Sequence, residues 1–591
     1  MNTANFICRF CLFGAVNVLA GCFMTPLEPV HHSKIEKENL NAETTFGDDV
    51  TQEDPLVVST ENIMEEMKNS PEKNNLNFGL IKEKALDNGD SCVTSENESS
   101  MRILTKNEYL ETIKVVFKLS DSLDQLERLL PPGSTEQGYN FLRDFNIMST
   151  EKLEAFLKAG QFVSEKVVGE NLITLDCGLS SEDCFRQWLV ANLPVIWREA
   201  VTNADLNDEM EVFKSFGGDS EALKSMIHRF LMSPKFLYRS GLFISGSDTL
   251  SNWEIVTFLS DSLWQGTIND ELIKTANQIE ALRKDQILAL VESMLKSPDL
   301  LKGLDSLAKG WMDLKSKGET LTFPDTISQS YSSDTFNQMI SYFLFDRIEE
   351  GQDSLAGLLD GKELWLPSEL AGLYKVSKSA DEKKSIDNSF ERFEFSDERR
   401  GLLSQPGFLI SASGLEYTNI PLRGKNILKN FMCHDLETPE DIVDVVSKVK
   451  FDHNKPVSTA LNQITMNGTC ENCHKLINGT GSIFEGLSPL GFPRALDDHG
   501  KNIISDIAVE LPGGKSFQSG SVSDFTHELI SDPSTGVCLT VKVFRMFNGR
   551  MEKEKDACRI SGIYKKASDQ NGVSLKKLIV ELILSRSGHI K

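Results

Sequence analysis

Residues 104–119 read LTKNEYLETIKVVFKL, and this stretch sets the first expectation about the fold. Its apolar residues recur every three or four positions, a spacing that places them on one face of an α-helix. Thr105 stands just before the periodic run, where a hydroxyl can accept a hydrogen bond from a backbone N–H of the first turn. The pattern therefore predicts an amphipathic helix with Thr105 as its N-cap.

Outward from this stretch, helical patterns continue to about residue 395. Ser251-Asn252-Trp253-Glu254 is a capping box that opens a helix through Leu263. Residues 285–295 and 335–345 repeat the helical spacing, and strand-type alternation is scarce. The predicted fold class is therefore mainly α, with an all-helical body over residues 101–395 that precedes a C-terminal domain.

One interruption makes a specific prediction about packing. The residue before a proline is disfavoured in the α-helical region, so Ser233-Pro234 predicts a helix that ends at or before Ser233. We expect Phe236 and Leu237, which follow, to be buried against neighbouring helices.

The chemical motif of the chain is Cys-Glu-Asn-Cys-His at residues 470–474. Cys470 and Cys473 can each add to a haem vinyl group from one helical turn, and His474 then faces the iron as the proximal ligand. The motif predicts a covalently bound haem c, with Cys470, Cys473 and His474 as cofactor-binding residues and His474 as the metal ligand. We expect residues 396–591 to form a cytochrome c-like α-helical domain around it.

Two other chemistries remain open for this motif. A zinc site would need two more ligands at matched spacing, and no second CxxC or HxxxH pair follows the predicted signal peptide in the sequence. A redox disulfide of the thioredoxin type usually lies in a βαβ setting, and none is visible. A structural disulfide between Cys470 and Cys473 is the remaining alternative to haem.

Several segments resemble one known family. They are Arg102-Ile103-Leu104-Thr105 with Glu108-Tyr109 and Thr112-Ile113, Leu231 to Arg239 (LMSPKFLYR), Arg399-Arg400-Gly401-Leu402-Leu403, and Arg423-Gly424-Lys425 followed by Cys433. They resemble the planctomycete-type cytochrome c multidomain proteins, built from tandem domains of unknown function around a haem-attachment segment. The resemblance covers about residues 101–591, and it implies haem content and location more than a reaction.

The segment after His474 is similar to the family in part. Gly481, Glu485, Gly491 and Arg494 match residues that the family commonly has. Ile477 and Asn478 stand where the family usually shows Met-Asp, which argues against a Met just after the motif as an iron ligand. The sixth ligand is left open among five candidates. They are His499, His527, Met466, Met546 and Met551.

The N-terminus carries an export signal. Arg9 precedes the apolar run Cys11 to Leu19, which is too short to span a membrane, so residues 1–21 are predicted to be a signal peptide. Leu19-Ala20-Gly21-Cys22 resembles the bacterial lipobox, which implies that Cys22 is acylated and anchors the chain to a membrane. Phe23 favours the outer membrane by the enterobacterial sorting rule. Residues 22–100 are polar, acidic and without sustained periodicity, so we predict a flexible tether.

Charge limits the possible partners. The net charge of −25 and the pI near 4.9 argue against nucleic acid, whose phosphates would repel the surface. No apolar run after the first two dozen residues is long enough to span a bilayer. The expected partners are a membrane, through the lipid anchor, and a redox protein.

Six of the eleven cysteines remain after the signal peptide, Cys22 and the haem motif are set aside. An even number suits up to three disulfides in an exported protein. Cys177 with Cys184 and Cys538 with Cys558 are the candidate pairs, with buried thiols as the alternative for each.

The expected function is electron transfer in the periplasm by a membrane-anchored c-type cytochrome. The alternatives are a cell-surface structural lipoprotein whose CxxCH segment forms a disulfide, and a haem-dependent oxidoreductase. No nucleophile–base pair at a recognisable spacing is present in the sequence, so whether the protein is an enzyme is left open.

Overall fold

A computed structural model describes residues 71–87, 101–119, 121–131, 133, 138–240, 250–314, 320–323, 327, 329–381, 383–385, 388–414, 417–436 and 451–586. The predicted signal peptide, Cys22 and most of the predicted tether lie outside these ranges. The described chain is mainly helical, as the sequence predicts. The prediction that residues 101–395 are all-helical is wrong, because short paired strands lie within this range, from Met101–Ile103 to Glu391–Phe395.

The helices, numbered along the chain, are α1 (Pro71–Leu86), α2 (Lys106–Phe117), α3 (Leu123–Leu129), α4 (Thr150–Gly169), α5 (Ser181–Trp197), α6 (Asn203–Ser215), α7 (Ser220–Leu231), α8 (Pro234–Leu237), α9 (Asn252–Trp264), α10 (Asp270–Ala276), α11 (Lys284–Met294), α12 (Leu300–Met312), α13 (Ser333–Glu349), α14 (Leu355–Asp360), α15 (Ala371–Tyr374), α16 (Pro406–Ser411), α17 (Ile420–Phe431), α18 (Val457–Thr465), α19 (Glu471–Ser482), α20 (Val522–Ser531), α21 (Pro533–Asn548), α22 (Ala557–Ala567) and α23 (Leu575–Arg586).

The strands are short and pair antiparallel. They are β1 (Met101–Ile103) with β2 (Tyr238–Ser240), β3 (Thr320–Leu321) with β4 (Tyr331–Ser332), β5 (Glu363–Leu366) and β6 (Val376–Lys378) on either side of β7 (Glu391–Phe395), β8 (Ile507–Leu511) with β9 (Lys515–Ser519), and β10 (Ser568–Asp569) with β11 (Gly572–Val573).

The helix predictions are confirmed. Thr105 caps α2 in a capping box with Glu108, and Ser251 caps α9 in the same way with Glu254. Helix α7 ends at Leu231, before Ser233-Pro234, because the proline starts the new short helix α8. Phe236 and Leu237 on α8 are buried, as predicted.

Two segments that carry the family resemblance meet in space. Strand β1 pairs with β2, and Arg102 lies opposite Arg239 in that pairing. Arg102 donates to both carboxylate oxygens of Glu108, and Asp261 lies 3.6 Å from each arginine. Burial alone would raise the pKa of Glu108, but Arg102 and its hydrogen bonds lower it, so this carboxylate stays ionised. Glu108 and Asp261 therefore supply the negative charges that face the two arginines inside the helical body.

Helix α12 joins the two halves of the described chain. It packs against α9 and α13 before residue 395 and against α17 and α21 after it. Trp311 donates from its indole N–H to the carbonyl of Asn430 at 3.1 Å, and Asn430 returns a hydrogen bond from its amide to the carbonyl of Met312 at 3.1 Å. The buried apolar residues on both sides form one continuous core. The domain boundary at 395/396 stays a prediction.

Helix α1 corrects the tether prediction for residues 71–86. Phe78, Ile81 and Ala85 fall on one face of the helix at i, i+3 and i+7, and all three are buried. Helix α1 packs on α22 and α21. Asn75 exchanges two hydrogen bonds with the backbone of Asp435. Three apolar residues on one face, packed against α21 and α22, are therefore enough to form a helix in a segment whose composition predicts a tether.

The disulfides agree with one predicted pairing and correct the other. Cys177 and Cys184 form a disulfide across seven residues. Cys538 is bonded to Cys433, a separation of 105 residues, so the predicted pairing of Cys538 with Cys558 is wrong. Cys558 is disulfide-bonded, but not to Cys538. The reason is that α17 packs on α21, which brings Cys433, just after α17, beside Cys538.

Among the helices of the described residues, none has the length and apolar character needed to span a membrane.

Candidate functional site

The CxxCH segment lies at the start of a helix. Cys470 ends a short 3₁₀ turn, and Cys473 and His474 lie in the first turn of α19. Because Cys470 and Cys473 are three residues apart in helical backbone, they share one face. All three side chains are half-buried, and neither thiol forms a disulfide. The two sulfurs are therefore not bonded to each other, unlike in the disulfide alternative.

The His474 ring has a fixed hydrogen-bond partner on its own helix. Its Nδ1 lies 2.8 Å from Oδ1 of Asn478, one turn along α19. The Asn478 amide donates from Nδ2 to Asn462 Oδ1 and to Thr465 Oγ1, both at 2.8 Å. Both N–H groups of the amide are thus used, and Thr465 itself donates to the carbonyl of Leu461. Oδ1 of Asn478 is therefore the acceptor, and His474 Nδ1 carries the hydrogen.

This arrangement determines what His474 offers to a ligand. Burial lowers the pKa of His474, so the ring is neutral at neutral pH even though the bond to Asn478 opposes that effect. A neutral ring with its hydrogen on Nδ1 has its lone pair on Nε2. That is the state of a metal-binding histidine, which usually donates its other N–H to a second group that sets the ring orientation.

Two glycine contacts hold α19 against α17. A Cβ on Gly424 would lie 2.0 Å from the carbonyl oxygen of Ile477, and one on Gly481 would lie 2.0 Å from that of Ile420. On another face of α19, a Cβ on Gly479 would lie 2.3 Å from the carbonyl oxygen of Ala508 in β8. The backbone of α19 therefore touches a helix and a strand directly, and no other residue fits these three positions without movement.

Arg423 fixes the segment that follows α19. It is fully buried, and its guanidinium donates to Ser413 Oγ and to the carbonyl groups of Phe484, Leu487 and Ser488 at 2.5–3.0 Å. Burial lowers the pKa of Arg423 to about 9. Five N–H donors in a planar fork suit a turn rich in carbonyl groups, where a lysine could not reach several at once. This arginine belongs to one of the segments that carry the family resemblance.

The other residues of that resemblance stabilise the same turn. Arg494 donates to the carbonyl of Glu485, to Thr418 Oγ1 and to Asp498. Gly491 has φ +85, a backbone conformation that side-chain-bearing residues rarely adopt. Glu485 is buried, and burial first, then Asp497 and Asp498, raise its pKa to about 7. These residues shape the chain beyond α19 rather than lining the first turn.

The five candidate sixth ligands are in different environments. Met546 is buried in α21, and Met551 is half-buried. Met466, at the end of α18, is 37% exposed. His527 is exposed, with Nε2 3.5 Å from Asp360, and His499 Nε2 contacts His453. Among the described residues, none of the five candidates forms a hydrogen bond or ring contact with His474. The sixth ligand therefore stays open.

The donor set fits a covalently attached haem. Two reduced thiols share a face, and the next residue presents an unprotonated imidazole nitrogen whose partner nitrogen is hydrogen-bonded. Within the part of the chain that the structure describes, no group of three or more His, Cys, Asp or Glu side chains is placed to hold a metal ion. Sequence reasoning missed the roles of Asn462, Thr465 and Asn478, although the i, i+4 spacing of His474 and Asn478 could have indicated the hydrogen bond.

Two family models match parts of the chain. Residues 250–376 match PSD4, described as a protein of unknown function (DUF1592). Residues 399–497 match PSCyt3, also described as a protein of unknown function (DUF1588), and this range contains Cys470, Cys473 and His474. Both are families associated with the planctomycete cytochromes c, in agreement with the resemblance of the sequence. No curated protein and no solved structure matches the chain.

Replacing Gly481 by Ala tests whether backbone contact holds α19. The new Cβ would lie 2.0 Å from the Ile420 carbonyl oxygen, so we expect Gly481→Ala to lower the free energy of unfolding. The loss should be about 1–3 kcal/mol, the usual cost of overpacking. Chemical denaturation followed by circular dichroism measures it. Gly486→Ala is the control, because no atom lies within 4 Å of its Cβ position. Equal stability of the two variants would contradict this account of the contact.

Proposed function

We propose that this protein is an exported c-type cytochrome that carries one haem c and transfers single electrons. Cys470 and Cys473 would hold the ring through thioether bonds, and His474 would ligate the iron through Nε2. The haem, when bound, supplies a one-electron Fe(III)/Fe(II) couple. The observation that carries the proposal is the hydrogen bond between His474 Nδ1 and Asn478, because it leaves Nε2 as the nitrogen able to ligate.

The chain's own residues have distinct roles in this proposal. Asn478 orients the imidazole and keeps the hydrogen on Nδ1, while Asn462 and Thr465 orient Asn478. The contacts of α19 with α17 and β8 keep its first turn in one position. Electron transfer needs little movement of ligands between the two oxidation states, and a ring oriented by a hydrogen-bond network meets that requirement.

The proposed location follows from the sequence. Export and acylation at Cys22 would place the protein at a membrane facing the periplasm or the cell surface. Covalent attachment of haem outside the cytoplasm and the disulfide Cys433–Cys538 both suit that compartment. The net charge of −25 would favour a redox partner with a basic docking face, since opposite charges speed association.

The first test uses the two thiols. In Cys470→Ala/Cys473→Ala, the thioether bonds cannot form, so the haem stain of a denaturing gel should disappear. The double variant Cys177→Ala/Cys184→Ala removes two cysteines from a disulfide distant in sequence and should keep the stain. A wild-type protein purified from a host with a cytochrome c maturation system that shows no covalent haem would refute the proposal, and the structural lipoprotein would replace it.

The second test concerns Asn478. In Asn478→Asp, an anionic carboxylate would accept the His474 Nδ1–H, make the imidazole a stronger donor and stabilise Fe(III), so the reduction potential should fall. Asn467→Asp adds the same charge at an exposed position three residues before Cys470. Potentiometric titration should give a larger fall for Asn478→Asp than for Asn467→Asp. Equal falls would mean that only the added charge matters and that Asn478 does not tune the ligand.

The third test concerns the anchor. Cys22→Ser removes the thiol that would be acylated, so the protein should move from the membrane fraction to the soluble or uncleaved pool. Cys11→Ser lies in the part removed by cleavage and should leave the protein in the membrane fraction. If Cys22→Ser is cleaved at the same bond and still fractionates with membranes, the lipoprotein proposal fails.

A further inference from the structure

Two histidines, His453 and His499, contact each other near the start of α18. His453 is exposed on the segment before the helix, and His499 is half-buried in the turn that contains Gly500. Nδ1 of His453 lies 3.1 Å from Nε2 of His499. The ring centroids are 4.6 Å apart with an angle of 61° between the planes, so the two nitrogen atoms point toward each other rather than the ring faces stacking.

The hydrogen bonds of His499 determine which nitrogen carries its lone pair. Nδ1 lies 2.9 Å from the carbonyl oxygen of Lys455, and a carbonyl can only accept. Nδ1 therefore donates, and the lone pair of the neutral ring lies on Nε2, the atom that faces His453. A backbone carbonyl that fixes the far nitrogen is a typical outer partner of a metal-ligating histidine.

Asp497 holds both loops in place. Its Oδ2 accepts from the N–H of Val457, the first residue of α18, at 2.8 Å. Its Oδ1 accepts from the N–H groups of His499 and Lys501 at 2.9 and 2.8 Å. All of these bonds use backbone donors, so the backbone fixes the position of His499 relative to the start of α18.

We propose that His453 Nδ1 and His499 Nε2 form a binding site for a divalent transition-metal ion of borderline softness, such as Zn²⁺ or Cu²⁺, with water completing the coordination. Two metal–nitrogen bonds of about 2.0–2.1 Å place their nitrogen atoms about 2.9–3.4 Å apart as the angle between them opens from 90° to tetrahedral. The observed 3.1 Å lies inside that interval. Imidazole nitrogens suit both ions.

Metal binding requires a new tautomer at His453 and a tilt of both rings, because the ion would lie to one side of the line that joins the two nitrogen atoms. In the metal-free pair, His453 donates its Nδ1 hydrogen to His499 Nε2. In the bound state, His453 takes the tautomer with its hydrogen on Nε2, and its Nδ1 lone pair joins that of His499 at the metal. His453 is exposed, so water can accept and return the hydrogen without net proton release. His499 keeps its bond to Lys455 throughout.

Nearby charges permit a cation at this position. The ammonium group of Lys455 donates to Gln463 Oε1 at 2.8 Å and lies 3.5 Å from Asp452, so a carboxylate adjacent in sequence to His453 offsets it. The protein as a whole is acidic, which concentrates cations at its surface. An ion here would cross-link the loops around α18, the helix that supplies Asn462 and Thr465 to the His474 network.

Copper titration of the full-length protein, purified without a histidine tag, tests the site. Cu²⁺ added to the wild-type protein should give an electron paramagnetic resonance signal with splitting from two nitrogen donors. In calorimetry, the wild-type protein should bind one more equivalent of Zn²⁺ than His453→Ala binds. His453→Ala removes only an exposed ring, and His499→Ala should lose the same equivalent. His527→Ala, which removes an exposed histidine elsewhere, should bind as the wild type does.

The comparison between variants makes the result specific. His31 and His32 are adjacent in the sequence and can bind metal in every variant, so they cancel in the difference. Loss of one ligand should weaken binding at this site by about tenfold or more. If wild type and His453→Ala bind the same number of Cu²⁺ and Zn²⁺ ions with equal affinity and the same nitrogen splitting, the proposal is wrong. This result would leave the haem proposal untouched, because the haem stain does not depend on His453.

Discussion

The candidate site depends on a helix crossing so close that only glycine fits. Helices α17 and α19 meet with Gly424 against the carbonyl of Ile477 and Gly481 against the carbonyl of Ile420. Each helix contributes one glycine and one carbonyl group to the contact. Rotation of either helix would therefore cause a clash between backbone atoms. Packing through backbone is stiffer than packing through side chains, which can change rotamers. The first turn of α19, with Cys473 and His474, takes its position from this crossing.

The rest of the described structure supports the crossing from both ends. Arg423 projects from α17 and binds three carbonyl groups beyond the end of α19, so the same helix that packs on α19 also fixes where the chain goes next. At its other end, α17 is bonded to α12 through Asn430 and to α21 through the Cys433–Cys538 disulfide. The helices before residue 395 thereby support the part of the chain that holds the motif. His453 and His499 contact each other beside the start of α18, the helix that supplies Asn462 and Thr465 to Asn478.

The buried side chain of Asn478, beside the candidate site, has a partner for each of its hydrogen-bonding groups. The Asn478 amide uses both of its N–H groups and its oxygen, and Thr465 passes its own hydrogen to a backbone carbonyl. A buried amide with an unused group would cost free energy, whereas a filled network specifies one arrangement. For the proposed haem site that specificity would have a direct use, since the orientation of the His474 imidazole determines which nitrogen would meet the iron.

The sequence by itself determined the helical class, the caps of α2 and α9, the break at Ser233-Pro234 and the three residues of the CxxCH motif. These follow from local rules, because hydrophobic period, capping hydroxyls, proline and a five-residue motif act within a few positions of the chain. Only the tertiary structure decided that residues 71–86 form a docked helix, that Cys538 bonds Cys433 rather than Cys558, and that Asn462 and Thr465 reach Asn478. Each of these joins residues on separate elements, and their proximity is set by how helices pack. That packing rests on contacts such as Gly424 with Ile477, which neither periodicity nor spacing records.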